Sequence, residues 1–532
     1  MIERVVESWL TNVNERQYQI PFCQLLMAEG EEVIHISTHG QMEQGKDVIT
    51  KSKSRGIKAY QLKCGRIALA DWRRHRSEII ELVEYPIEHP SIRSRKSHES
   101  VLVTNGSIAD TVINAVRSEN RAWRRRRVGH LQVTTGSELV TRFVRAHGSY
   151  LPQTPKDFGK FLDLIVDGGR GPFNKKDFSA FIETVLPLKK SRVPFREVQR
   201  AMVSAVLLTT YIIQRDEQCD NHWAIFEAWI TLGAYILAVH ERYHVPSQWW
   251  KPSFELAQLG ALRALENLCR ECEANETMFT QGNPLIDGHV YHARITILGG
   301  LLSSLSLHHR IKKSDWNKHE FVHDFLEWYG SYFRLLGESL VPHLLLAIMT
   351  LEQNQNGLSA NNLLRQIIIA ICQQNGAKES KENQGLPNPY YEPEAILRHG
   401  YGIGIPLTES FWGHSYALEP LVLFAAAKNQ RQLLNELWKQ ITRVHFAVFS
   451  PTETWEWFRW QAEEGALHTK MPEAPQSWRE LRTIATSPTG NSPEVLKAIP
   501  EFVPFFLMVF PHRLSYELIK LIDDALSQSI NT

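Results

Sequence analysis

The chain has 532 residues, 43% of them hydrophobic and 22% charged, and its 59 Lys and Arg nearly balance its 58 Asp and Glu. This composition is that of a soluble globular protein, and the length predicts roughly two to four domains rather than one core. The first residues lack the basic head and apolar run of a secretory signal. The longest apolar runs are too short to span a bilayer and predict buried helices over 201–213, 340–351 and 502–510.

The distribution of the cysteines also indicates the redox state of the cellular compartment. Six of them are scattered along the chain, which is typical of a reducing environment. Cys269 and Cys272 lie in a helical pattern with no second pair and no His at ligand spacing, so we predict buried thiols there rather than a zinc or redox site. We therefore expect a cytoplasmic protein with no membrane partner.

Strands and helices alternate in the first 150 residues, which favours a mixed or parallel sheet covered by helices. Pro21 lies inside the first helical segment, so that helix begins there or kinks. The run 101–104 is apolar throughout and predicts a strand buried on both faces. Strands are predicted over 33–37, 47–50, 58–64, 101–106 and 131–134, and helices over 14–29, 67–85, 107–123 and 137–146.

A possible site follows from the second and third strands. Asp47 stands at the start of the second strand, and Gln61 and Lys63 lie two apart on the third, so both side chains point to the same face. If these strands pair, a carboxylate, an amide oxygen and an ammonium converge on one point. Such a group can hold a divalent cation beside a phosphate and place an amine near the attacking water. An ordinary solvated Asp and a snorkelling Lys are the structural alternative.

The order of these elements resembles the PD-(D/E)xK nuclease superfamily, and most closely its Mrr-like branch, in which Gln-x-Lys replaces the usual acid-x-Lys. The resemblance implies a restriction-endonuclease-like α/β domain over residues 1–150 that hydrolyses DNA with Mg²⁺ or Mn²⁺. Asp47 and Gln61 would be its metal ligands and Lys63 its catalytic amine. The second acid of the family is absent, and Glu43 or Glu15 is the candidate to supply its charge.

Basic residues concentrate in the same part of the chain. Residues 1–150 contain 23 Lys and Arg against 17 Asp and Glu, a net charge of +6, whereas the remainder carries −5. Clustered cations attract phosphates without regard to sequence. We predict DNA contacts by Lys51, Lys53, Arg55, Arg73, Arg74, Arg124, Arg125, Arg126 and Arg127. Trp123 is adjacent, and we expect a core or cation–π role for it rather than stacking on a base.

The strand signal disappears after about residue 151. Long amphipathic or buried helices follow, including one over 430–449, and no clean internal repeat is present. This predicts a solenoid- or bundle-like all-α region, divided into helical domains at 151–380 and 381–532 by the polar and Pro-rich stretch 377–391. The aromatic cluster Trp455, Trp457, Phe458 and Trp460 is expected to pack in a core.

A second motif predicts a different chemistry. The run His240-Glu241-Arg242-Tyr243-His244 matches H-E-x-x-H on a predicted helix, where both His would bind zinc, Glu241 would act as base and Glu266 is the available third ligand. Two features argue against a zinc site: Arg242 is charged, and Pro246 closely follows the motif.

Three functions therefore remain open. The first is a metal-dependent DNA endonuclease, a restriction or anti-phage effector whose helical part senses, gates or oligomerises with itself or with defence partners. The second is an inactive nuclease fold used as a DNA-binding scaffold, and the third is a zinc peptidase.

Overall fold

The computed structural model places the chain in two compact units. The first contains Met1–Gly168, Ala180–Arg215 and Pro246–Leu256, and the second contains Gly169–Ser179, Asp216–Val245 and Ala257–Thr532. The division into domains 1–150, 151–380 and 381–532 stays a prediction. The residues that the structure describes are 6–7, 10–11, 13–37, 45–52, 56–87, 92, 98–147, 155–275, 288–353, 357–376, 385–400, 412–462, 466–472, 477–487 and 492–530.

The first unit contains a five-stranded mixed sheet with the strands in chain order. Strand β1 pairs antiparallel with β2, and β2 pairs antiparallel with β3, whereas β3–β4 and β4–β5 are parallel. Strand β3 is therefore central and its second half is largely buried. The strands are β1 Glu32–Ile36, β2 Val48–Ser52, β3 Gly56–Lys63, β4 Glu99–Thr104 and β5 Leu131–Thr134.

Helices alternate with these strands as the sequence predicts, and the bounds agree within about three residues. Val101, Leu102 and Val103 of β4 are buried, which confirms that this strand is covered on both faces. The presence of a small mixed sheet followed by a helical region is thus confirmed. The helices of this part are α1 Glu15–Ala28, α2 Leu69–Glu84, α3 Asp110–Arg126, α4 Gly136–His147 and α5 Pro155–Asp167.

The start of α1 is fixed by a capping box. The side chain of Asn14 accepts hydrogen bonds from the backbone N–H groups of Arg16 and Gln17, and the side chain of Gln17 accepts one from the N–H of Asn14. These bonds satisfy amides that the first turn leaves unpaired. The helix therefore begins before Pro21 and continues through it, which places Glu15 on its first turn.

Helices also dominate the remainder of the described chain. The apolar runs predicted as buried helices lie in α7, α13 and α20, and their apolar side chains are buried. The helices are α6 Lys175–Val185, α7 Phe195–Ile212, α8 Gln214–Gln218, α9 His222–Tyr243, α10 Ser247–Ala274, α11 Gly288–Lys312, α12 His319–Tyr329, α13 Val341–Gln353, α14 Gly357–Asn375, α15 Pro393–Gly400, α16 Leu418–Ala427, α17 Arg431–Ile441, α18 Trp478–Thr486, α19 Glu494–Ala498, α20 Val503–Val509 and α21 Tyr516–Ile530.

The prediction that strands are absent after residue 151 was wrong. A three-stranded sheet lies in the second unit, with β6 His414–Ser415 parallel to β7 His445–Phe449, and β7 antiparallel to β8 Leu467–Lys470. The predicted helix over 430–449 ends at Ile441, and its last residues form β7. These strands are short and β8 is fully exposed, so neither length nor apolar alternation marks them in the sequence.

Two burial predictions for the second unit are confirmed. Trp455, Trp457, Phe458 and Trp460 are all buried in or beside a 3₁₀ turn over Thr454–Phe458. Cys269 and Cys272 are buried free thiols, and burial raises the pKa of each to about 12. Thiols held protonated in this way are poor nucleophiles and poor ligands.

Among the described residues, α9 is the one helix whose length and apolar composition would suffice to cross a bilayer. Its most apolar 18-residue window is 89% buried inside the protein, which is equally typical of a core helix.

Candidate active site

The pairing of β2 with β3 brings Asp47 beside the Gln61–Lys63 segment. Asp47 directly precedes β2, and its N–H donates a hydrogen bond of 2.8 Å to the carbonyl oxygen of Tyr60. Its carboxylate Oδ2 accepts a 2.6 Å hydrogen bond from the N–H of Leu62. The carboxylate therefore lies at the backbone between Gln61 and Lys63.

The side chains of Gln61 and Lys63 meet at a carboxylate that lies outside the sequence motif. The Nε2 atom of Gln61 donates a 2.8 Å hydrogen bond to Oε2 of Glu78, and Nζ of Lys63 lies 3.0 Å from the same oxygen. Gln61 and Lys63 thus share a face of β3, as their spacing predicts. Glu78 projects from α2, which follows β3 in the chain.

Two further groups complete the cluster. Glu15 of α1 lies 3.9 Å from Nζ of Lys63, and Nδ1 of His75, one turn before Glu78, lies 3.4 Å from its carboxylate. Burial alone would raise the pKa of Glu78, but the hydrogen bonds and charges of Lys63 and His75 bring it below its usual value. Glu78 is therefore ionised near neutral pH, and it supplies a negative charge where Gln61 replaces an acid.

The oxygen atoms of this cluster are of the kind that bind a hard cation. The Oε1 atom of Gln61 is buried and accepts no hydrogen bond from the described residues. Such an orphaned acceptor is costly unless another group binds it. Mg²⁺ takes oxygen ligands, uses one or two carboxylates and retains several waters. Asp47, Glu78 and Gln61 carry oxygen donors of this kind, two carboxylates and one amide oxygen.

The described part of the chain contains no group of three or more His, Cys, Asp or Glu side chains placed to hold a metal ion. The cluster therefore suits a cation that keeps much of its water and would not form a closed tetrahedral zinc site.

The predicted DNA contacts are partly described. Arg73, Arg74, Arg124, Arg125, Arg126, Arg127 and Lys51 are all exposed, whereas Lys53, Arg55 and the candidate acid Glu43 lie outside the described residues. Arg126 is 2.6 Å from Glu84, and Arg74 is 3.7 Å from Asp71. Trp123 is buried and its Nε1 donates to Glu84, which confirms its expected core position.

The helical geometry that H-E-x-x-H requires is not present. Helix α9 ends at Tyr243, and His244 follows it in the left-handed conformation with φ of 48°. The Nδ1 atom of His240 lies 2.9 Å from the carbonyl oxygen of Val245. The prediction that both His share a helix face was wrong, because the residues before Pro246 leave the helix.

Comparison of the chain with protein-family models, with curated proteins and with solved structures found no match. The geometry of the site is therefore the basis for inferring its function.

Gly45 shows how closely the segment before Asp47 approaches α2. It has φ of +69°, and a Cβ atom there would stand 2.3 Å from the carbonyl oxygen of Glu78. We expect Gly45→Ala to lower the free energy of unfolding by roughly 2–4 kcal/mol, measured by urea denaturation. Gly56 is the control, since it has φ of +85° but open space around its Cβ position. Gly56→Ala should cost only about 1–2 kcal/mol, and equal losses would contradict the close approach.

Proposed function

We propose that the protein is a metal-dependent DNA endonuclease with a restriction-endonuclease-like domain at its N-terminus. The observation that supports this most is the meeting of Gln61 and Lys63 at Glu78, beside the carboxylate of Asp47. The mixed sheet is of the kind that the PD-(D/E)xK resemblance implies, with Asp47 leading into β2 and Gln-x-Lys closing β3.

The residues of the cluster have distinct roles in this proposal. Asp47, Gln61 Oε1 and Glu78 would hold a Mg²⁺ ion, which supplies a Lewis acid for the scissile phosphate and a bound water. Lys63 orients the attacking water and stabilises the charge that develops on the phosphate oxygens. Water adds to phosphorus and the bond to the leaving oxygen breaks. A carboxylate of the cluster accepts the proton that this water releases, and the leaving oxygen takes up a proton from solvent water.

Exposed arginines on α2, on α3 and directly after α3 would attract the DNA backbone. Their contacts are to phosphates and carry no sequence information by themselves. We assign Arg73, Arg74, Arg124, Arg125 and Arg127 to this attraction. Arg126 contributes less, since Glu84 already neutralises it.

The biological role follows from the resemblance. A nuclease domain joined to a large helical region is similar to restriction and anti-phage effectors, so we propose that the helical region senses a trigger or assembles the active form. Cleavage of both strands of a duplex usually needs two such sites, which favours a homo-oligomer or a complex with defence partners. A cytoplasmic location accords with this role.

Cleavage assays test the proposal directly. Plasmid, linear double-stranded DNA, single-stranded DNA and RNA would be incubated with the full chain in Mg²⁺, Mn²⁺ or EDTA. We expect cleavage of DNA with either ion, none in EDTA, and none by Asp47→Ala at equal protein concentration. Cleavage that persists in EDTA, or equally in Asp47→Ala, would show that this cluster is not the active site.

A second candidate function is a catalytically inactive nuclease fold that binds DNA. It is favoured by the ion pair between Lys63 and Glu78, which neutralises the amine. This alternative predicts salt-dependent DNA binding with no cleavage under any metal condition, and identical behaviour of wild type and Asp47→Ala.

A further inference from the structure

Helix α1 contacts the candidate site through the backbone of the site's residues. Tyr18 and Gln19 are consecutive residues of this helix, and both are buried. The hydroxyl of Tyr18 donates a 2.8 Å hydrogen bond to the carbonyl oxygen of Lys63, and Nε2 of Gln19 donates a 3.2 Å bond to the carbonyl oxygen of Asp47. One turn of this helix thus donates hydrogen bonds to the backbones of both Asp47 and Lys63.

We propose that Tyr18 and Gln19 are positioning residues: they hold the end of β3 and the backbone of Asp47 in place, and so set how the ligands Asp47 and Gln61 face the cation. This inference rests on the proposed function. Neither side chain touches the reacting atoms, since each acts through a main-chain carbonyl of a site residue.

The same helix also reaches the side chain of Lys63. Glu15 lies one turn before Tyr18 and Gln19, and its carboxylate is 3.9 Å from Nζ of Lys63. Residues spaced by three and four share a helix face, so these three side chains present one surface to the site. Lys63 is therefore held at its carbonyl and at its ammonium by a single rigid element.

The environment of Tyr18 keeps it a hydrogen-bond donor. Burial raises its pKa well above the usual value, and the charges of Glu15 and Asp47 raise it further. The hydroxyl therefore stays protonated at any working pH.

Both ends of α1 are anchored independently of the site. Asn105 Nδ2 donates to the carbonyl oxygens of Leu10 and Val13 before the helix, at 2.7 and 2.8 Å, and its Oδ1 accepts from the N–H of Gly65 after β3. Arg142 pairs with both carboxylate oxygens of Glu29 after the helix, at 2.8 and 2.6 Å. The helix is thus a fixed reference against which the two site segments are placed.

Conservative variants separate positioning from stability. Tyr18→Phe removes the hydroxyl and keeps the ring, and Gln19→Met keeps the volume and removes the donor. The matched control is Tyr60→Phe, because Tyr60 is equally buried and its hydroxyl donates a 2.8 Å bond to Glu31 instead. Mn²⁺ binding to the full chain would be measured by calorimetry, cleavage would be measured against Mg²⁺ concentration, and unfolding by urea.

We expect Mn²⁺ affinity to fall about tenfold in Tyr18→Phe and in Gln19→Met, with a matching rise in the Mg²⁺ needed for half-maximal cleavage. The apparent affinity for DNA should stay constant. Tyr60→Phe should lose similar stability yet bind Mn²⁺ as the wild type does.

The outcomes distinguish the two proposals. Unchanged Mn²⁺ affinity in both variants of an active wild type would overturn the positioning role alone. Equal losses of affinity in Tyr60→Phe would overturn it too, since they would reflect general destabilisation. A wild type that neither binds Mn²⁺ nor cleaves DNA would overturn the proposed function, and the positioning role with it.

Discussion

Lys63→Ala is expected to lower the rate of DNA cleavage by roughly 10²–10⁴-fold, the range for removal of a positioned proton-transfer or electrostatic group. Its ammonium is the one positive side chain that the structure shows in contact with both Glu15 and Glu78 among the described residues. Single-turnover cleavage of end-labelled duplex with saturating Mg²⁺ would measure the chemical step. DNA affinity, measured in Ca²⁺, should change little.

The control for this variant is Lys51→Ala. Lys51 is exposed on the neighbouring strand β2, so its removal takes away an equal charge near the site. We expect it to weaken DNA binding slightly and to leave the single-turnover rate intact. A Lys63→Ala protein that cleaves at the wild-type rate would refute the role assigned to this amine.

Glu78→Gln is expected to reduce cleavage nearly as much as Asp47→Ala, by roughly 10²-fold or more. The amide keeps the size of the side chain but removes the negative charge that faces Gln61 and Lys63. Metal affinity, measured with Mn²⁺, should fall together with the rate. Glu78 is not part of the motif on which the family resemblance is based. This variant therefore tests the structure rather than the motif.

Glu81→Gln is the matched control, because Glu81 lies on the same helix, three residues further on, and its hydrogen bond from Nζ of Lys46 goes to its main-chain carbonyl oxygen, which the substitution keeps. It should retain wild-type cleavage and metal affinity. If Glu78→Gln also cleaves normally while Glu15→Gln does not, the missing acid of the resemblance is supplied by α1 instead of α2.

Much of the N-terminal fold follows from local sequence signals. Runs of β-branched and apolar residues separated by helical periodicity predict every strand of the first sheet, since both patterns are set by neighbours in the chain. The face shared by Gln61 and Lys63 is equally local, because side chains in a strand alternate. The order Asp47, Gln61, Lys63 could therefore be selected before any coordinates.

The remaining features depend on contacts between segments. The bond of Gln61 to Glu78 spans 17 residues and exists only because α2 packs over β3. The signal that could have found it is the pair His75 and Glu78, whose spacing puts both on one helix face. The end of α9 at Tyr243 was partly visible in Pro246, whereas β6, β7 and β8 pair over long separations and have almost no local pattern.

The sequence by itself determined the alternation of elements, the basic character of the N-terminal part and the face on which Gln61 and Lys63 lie. The tertiary structure decided which carboxylates lie beside these two residues. It also decided that α1 donates hydrogen bonds to the backbones of Asp47 and Lys63. The physical reason is that periodicity fixes the direction of a side chain within its own element, but its partners are set by the packing of elements that are distant in the chain.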